Sequence, residues 1–108
     1  MAPRTLLARW DEQALEKVTE MVARKVIAGG DLVLMQAYFK RGALVPVHVH
    51  TAEAALYVLQ GALRVHAAGE VATVREGDVL IVASGVARQA EALDDTFLMT
   101  VTRTTEEG

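Results

Sequence analysis

An all-β sandwich or barrel is the fold class this sequence predicts, and three observations predict it. Glycines punctuate the chain at positions 29, 30, 42, 61, 69, 77 and 85. Between them lie short runs rich in Val and Leu that often alternate in polarity, as an extended chain with one face on a core requires. Outside residues 10–22, no stretch carries a helical pattern.

Taken in order, residues 1–25 read as an N-terminal segment, residues 26–102 as the barrel and residues 103–108 as a C-terminal tail of one domain. Within the first part, residues 10–22 have a short helix as an alternative, with Asp11 as N-cap before Ala14, Leu15 and Val18. DLVLMQAYFK (31–40) predicts a strand with Val33, Met35, Ala37 and Phe39 on one face and Leu32, Leu34 and Tyr38 on the other. ALVPVHVH (43–50) puts His48 and His50 on a common face, and AALYVLQ (54–60) does the same for Ala54, Leu56 and Val58. In ALRVHAA (62–68), Leu63 and Val65 share the apolar face, which sends Arg64 and His66 to solvent. VATVRE, DVLIVAS and DTFLMTVTR complete the strand set.

A chain of 108 residues suits a single domain with a single core. With no cysteine, disulfides, thiolate zinc sites and cysteine nucleophiles are excluded, and metal ligands are limited to His, Asp, Glu or Gln. The net charge is −3 and the basic residues are scattered, so no nucleic-acid partner is expected. No apolar run reaches the roughly 20 residues that span a bilayer, and the first residues lack a signal-peptide pattern, so the expectation is a cytoplasmic protein with no membrane contact.

The glycines stand at fixed offsets from the histidines, and in this the chain resembles the small single-domain cupins. Their first motif runs G-x5-H-x-H-x3,4-E-x6-G, and Gly42, His48, His50 and Gly61 fall in register, with Pro46 where many members have it. Their second motif runs G-x5-P-x-G-x2-H-x3-N, and this chain supplies Gly77 and Gly85, at the intermotif spacing typical of microbial members. The resemblance implies a jelly-roll barrel of six to eight strands with a pocket between its sheets. In that family two histidines, a Glu or Gln and a third His hold Fe, Mn, Ni, Cu or Zn.

Here that ligand set is broken. The Glu or Gln position is Ala54, the second-motif His is Arg88, and the family's Pro and Asn are Ala83 and Ala92. Alanine cannot coordinate, and a guanidinium offers only donors and a permanent positive charge. Glu53 replaces the lost carboxylate only if a bulge re-aims it. The expectation is therefore a degenerate metal site with no cofactor, the alternative being a divalent transition metal on His48 and His50 alone.

Arg88, placed inside by the motif register, needs an acceptor, because an unpaired buried charge is costly. Glu53 and Glu91 are candidate salt-bridge partners for it, and a small carboxylate or other anion is the ligand that would satisfy it otherwise. Ala54, Leu56 and Met35 are expected to line the rest of a small apolar pocket beside His48, His50 and Arg88. The leading functional reading is thus a small-molecule-binding barrel. The alternatives are a metal-dependent dioxygenase, isomerase or cyclase using His48 and His50, and a metal-free acid–base enzyme. Because one core absorbs only one face of the strand at 31–40, the other face, with Tyr57, Leu59 and Trp10, predicts a homodimer, unless the N-terminal segment folds back over it.

Overall fold

Ten strands in two antiparallel sheets follow a single 3-10 turn in the computed structural model, which describes residues 5–104. Residues 1–4 of the N-terminal segment and 105–108 of the C-terminal tail lie outside the described residues. The turn is Trp10–Glu12, and the strands are β1 (Glu16–Thr19), β2 (Val22–Ala28), β3 (Leu32–Phe39), β4 (Leu44–Val49) and β5 (Ala54–Gln60). The chain continues through β6 (Ala62–Ala67), β7 (Glu70–Arg75), β8 (Val79–Val82), β9 (Ala87–Ala92) and β10 (Thr96–Arg103). One sheet has the order β1-β2-β3-β10-β5-β8 and the other β4-β9-β6-β7, the two-layered arrangement of a jelly roll.

The pleat builds the core. On β5, Ala54, Leu56 and Val58 are buried while Tyr57 is exposed, and on β6 Leu63 and Val65 are buried while Arg64 and His66 are exposed. Leu98 on β10 is in register with Ala37 on β3 and Val58 on β5, so these residues share one face of the large sheet. They meet Leu63, Val65 and Ala92 of the small sheet in a continuous apolar cluster. Each of these side chains contributes roughly 1.5–3 kcal/mol of burial if large and less if alanine.

Three strands differ from the sequence reading. Residues 10–22 form no α-helix: the 3-10 turn has Arg9, not Asp11, at its N-cap position, without a side-chain cap bond, and β1 follows it. Local helix signals there are outweighed by ladder pairing of β1 to β2, in which Glu16 faces Arg24. The large sheet consequently begins at Glu16, within the segment placed before the barrel, and the strand count is ten rather than six to eight. The third, β9 (ARQAEA), contains no β-branched or aromatic residue and is a strand because β4 and β6 pair with it on both sides.

Gly61 joins β5 to β6 at φ +90, and a Cβ built there would collide with the Asp95 carbonyl oxygen. The same turn is tied by Thr96, buried, whose hydroxyl accepts from the Ala62 N–H at 3.3 Å and lies 2.8 Å from the Asp94 carbonyl. Gly61→Ala therefore meets both a positive φ and a backbone collision. A loss of at least about 2 kcal/mol of unfolding free energy is expected by urea titration, against about 1 kcal/mol for Gly69→Ala, which meets a positive φ but no collision.

Candidate functional site

Between the sheets lies a cavity of about 650 Å³, and all six residues singled out from the sequence line it: His48, His50, Arg88, Ala54, Leu56 and Met35. The large sheet contributes Met35, Ala54 and Leu56 from its inward face, and the small sheet contributes the polar corner. His48 and Arg88 are directly opposite in the β4–β9 ladder, where the register shifts between Val45 and His48. Pro46 sits in that irregular stretch, where its missing N–H costs the ladder nothing. The Gly85 N–H donates to the His50 carbonyl at 2.8 Å, which ties the turn before β9 to the end of β4.

The polar corner has a defined hydrogen-bond order. His48 Nδ1 lies 3.0 Å from the Pro46 carbonyl oxygen, which can only accept, so Nδ1–H donates to it. The opposite ring nitrogen, Nε2, accepts from Arg88 Nε–H at 3.3 Å. The lone pair with which an imidazole would bind a metal is thus engaged by a guanidinium. His50 packs edge-on against His48, with ring centroids 4.9 Å apart, and is exposed at the rim. Partial burial, then the charge of Arg88, then His48, hold the His50 pKa below the ordinary imidazole value. Burial also lowers the pKa of Arg88, which as a guanidinium stays charged at any physiological pH. A neutral imidazole beside a fixed cation can accept a proton, bind an anion through its neighbour, or do both.

The carboxylates considered as partners of Arg88 are elsewhere. Glu91 pairs with Arg64 at 3.5 Å on the outer side of the small sheet. Glu53 is exposed and does not line the cavity, and β5 pairs with β8 in regular register from Ala54 onward. Among the described residues no carboxylate lies within 4.0 Å of Arg88. His66 is exposed on the outer face.

Two properties of the cavity differ from the sequence reading. It is not small, because Ala37, Ala54 and Ala90 leave room where larger side chains would close the space. Its wall also extends onto β1 and β2 through Val18, Val22, Arg24 and Val26. The signal for this second wall is the alternation in VARKVIA, where Val22, Arg24 and Val26 share a face. Arg24 is a second guanidinium, compensated by Glu16 at 2.6 Å.

The sequence profile of the cupin domain matches residues 35–102, which is more than half of the chain. The chain belongs to the cupin family. No curated protein matches its sequence. Among solved structures, KdgF from Halomonas sp. is similar at 27% identity and TM-score 0.81, with 90% of this chain and 91% of that chain covered. An RmlC-like cupin from Shewanella frigidimarina superposes with TM-score 0.86 at 20% identity, covering 96% of this chain and 95% of that one. A variant of oxalate decarboxylase from B. subtilis is similar over 97% of this chain but only 32% of its own length, at 16% identity and TM-score 0.81.

The residues of this cupin do not fit the four-ligand metal centre that the family resemblance implies. Of its positions, Ala54 has no donor atom, Arg88 is a cation, and His48 Nε2 is already bonded to that cation. Among the described residues no group of three or more His, Asp or Glu side chains is arranged to hold a metal ion.

The depressed pKa of His50 has a sign that can be measured. Below its unfolded value of about 6.5 the unfolded chain takes up the proton first, so stability present above that pH is lost as the pH falls toward the lower folded value. Thermal denaturation between pH 7.5 and 5 is expected to show a smaller fall in Tm for His50→Gln than for the unaltered protein, and equal slopes would contradict the assignment.

Proposed function

We propose that this cupin is a small-molecule-binding barrel that takes an anionic ligand, a carboxylate foremost, on Arg88, without a tightly bound metal. The observation that carries the reading is a half-buried guanidinium in a cavity with no carboxylate beside it among the described residues. Its Nε is occupied by His48, and no other hydrogen bond from its guanidinium to protein occurs among the described residues. The two terminal nitrogens remain as paired donors, the geometry that matches a carboxylate. His48 acts in this reading as the prop that orients Arg88, and His50 as a polar rim.

Thermal-shift measurements test it. Millimolar carboxylates are expected to raise the Tm of the unaltered protein and to leave Arg88→Ala unchanged, while Arg88→Ala itself keeps its far-UV spectrum. In the same experiment Fe, Mn, Co, Ni, Cu and Zn are expected to give no comparable shift, whereas Ala54→Gln with Arg88→His supplies four donors and gains one. Near-stoichiometric metal retained through dialysis by the untagged, unaltered protein would refute the metal-free reading.

The outer face of the large sheet supports a homodimer. Tyr38, Tyr57, Val79 and Ile81 are exposed on it, and Tyr38 stacks on Phe97 with centroids 4.7 Å apart. Among the described residues the N-terminal segment reaches this side where Lys25 Nζ donates to the Trp10 carbonyl at 3.0 Å and where Leu15 and Lys17 share a groove with Tyr38 and Phe97, yet Tyr38, Tyr57, Val79 and Ile81 stay exposed. Adjacent exposed apolar and aromatic side chains on one sheet face suit an interface, and a two-fold axis buries them on both copies at once. Sedimentation at micromolar concentration is expected to give about twice the 11.6 kDa chain mass, with Tyr38→Glu shifting the protein toward monomer. A mass of one chain for the unaltered protein would overturn the dimer.

A further inference from the structure

We infer that the ligand of this cavity is an amphipathic monocarboxylate with an extended apolar body, its head on Arg88 and its chain running along the valine-lined wall to the rim. The inference rests on the anion reading above and names the class of molecule that site takes.

Charge fixes the number of heads. Two guanidiniums line the cavity, one from each sheet. Arg24 is neutralised by Glu16 at 2.6 Å, and its terminal nitrogen rests 4.0 Å from the Met35 sulfur. Arg88 alone lacks a carboxylate partner among the described residues. One uncompensated positive charge is balanced by one carboxylate, and a second would enter an apolar space without a counter-ion, at a steep desolvation cost.

Size and lining fix the body. A cavity of about 650 Å³ lies well inside the range that encloses whole small molecules and far exceeds the needs of a two-carbon acid. Away from the polar corner its walls are mostly apolar: Leu56, Leu63 and Val65 at depth, then Val22 and Val26 on β2, either side of the Arg24 guanidinium that Glu16 neutralises. The apolar lining does not stop at the mouth. Val18, Val26 and Val47 line the same cavity yet are exposed, by 48%, 39% and 62%. Valines on both sheets at the rim gain from contact only if the ligand's body is apolar along its length up to that point. The tyrosines of this chain lie outside this lining, and among the described residues the cavity offers no acidic group to bind an amine and few hydroxyls for a sugar.

Calorimetric titration with acetate, butyrate, hexanoate, octanoate and decanoate tests the inference, with octanol, octylamine and suberate as controls. Affinity is expected to tighten by about fourfold per added methylene until the chain fills the cavity, and then to level off. Octanoate is expected to bind at least tenfold more tightly than octanol, octylamine or suberate, and Arg88→Gln, checked for an unchanged far-UV spectrum, to lose that preference. Acetate binding as tightly as octanoate would overturn the apolar body and leave the anion site standing. Suberate matching octanoate would overturn the single head. If no carboxylate binds, or octanol equals octanoate, the anion reading fails together with this one.

Discussion

The two-residue period of the extended chain is the constraint on which everything in this barrel hangs. Because successive side chains leave opposite faces of a strand, placing Val58 in the core also places Leu56 and Ala54 in the cavity and Tyr57 outside it. The same logic puts His48 and His50 on one side of the chain at the end of β4 and leaves Val49 between them exposed. A slip of one residue in any ladder would empty the cavity of its polar corner and bury charges in the core instead. The glycine turns hold the register, Gly61 most firmly, since nothing larger fits against the Asp95 carbonyl.

Within that frame, Arg88 sets the electrostatics of the polar corner. Arg88 occupies a ligand position of the family motif and meets His48 across a ladder pair, so the ring nitrogen accepts a hydrogen bond. Its positive charge is covalently part of the chain, cannot dissociate, and presents donors in a plane. His50 keeps its place beside this charge and is disfavoured from acquiring one of its own. The corner thus carries a fixed positive charge of its own.

Much of this was legible in the sequence because it depended on spacing. The offsets among Gly42, His48, His50 and Gly61 identified the family, and alternation sent Leu63 and Val65 inward and His66 outward, as the structure has them. What escaped depended on pairing at a distance. β9 is alanine-rich and gains strand structure only from the neighbours that flank it. β1 and β2 carry charged residues that locally favour other conformations, and their ladder to β3 decides the matter. The volume of the cavity was not readable either, since it is set by how far two sheets stand apart and by which alanines face each other across the gap. Nor did the sequence indicate that Glu91 would be claimed by Arg64, which shares its outer face, leaving Arg88 without it.

The division of the cavity between its two sheets carries an evolutionary implication. Arg88, the unpaired guanidinium of the cavity, stands on β9 of the small sheet, while Ala37 and Ala54, whose short side chains leave the cavity its room, stand on β3 and β5 of the large one. Substitutions on one sheet leave the backbone hydrogen bonds of the other untouched. If the proposed ligand holds, the group that selects its head and the residues that limit its length can therefore change independently, each by a substitution confined to one sheet.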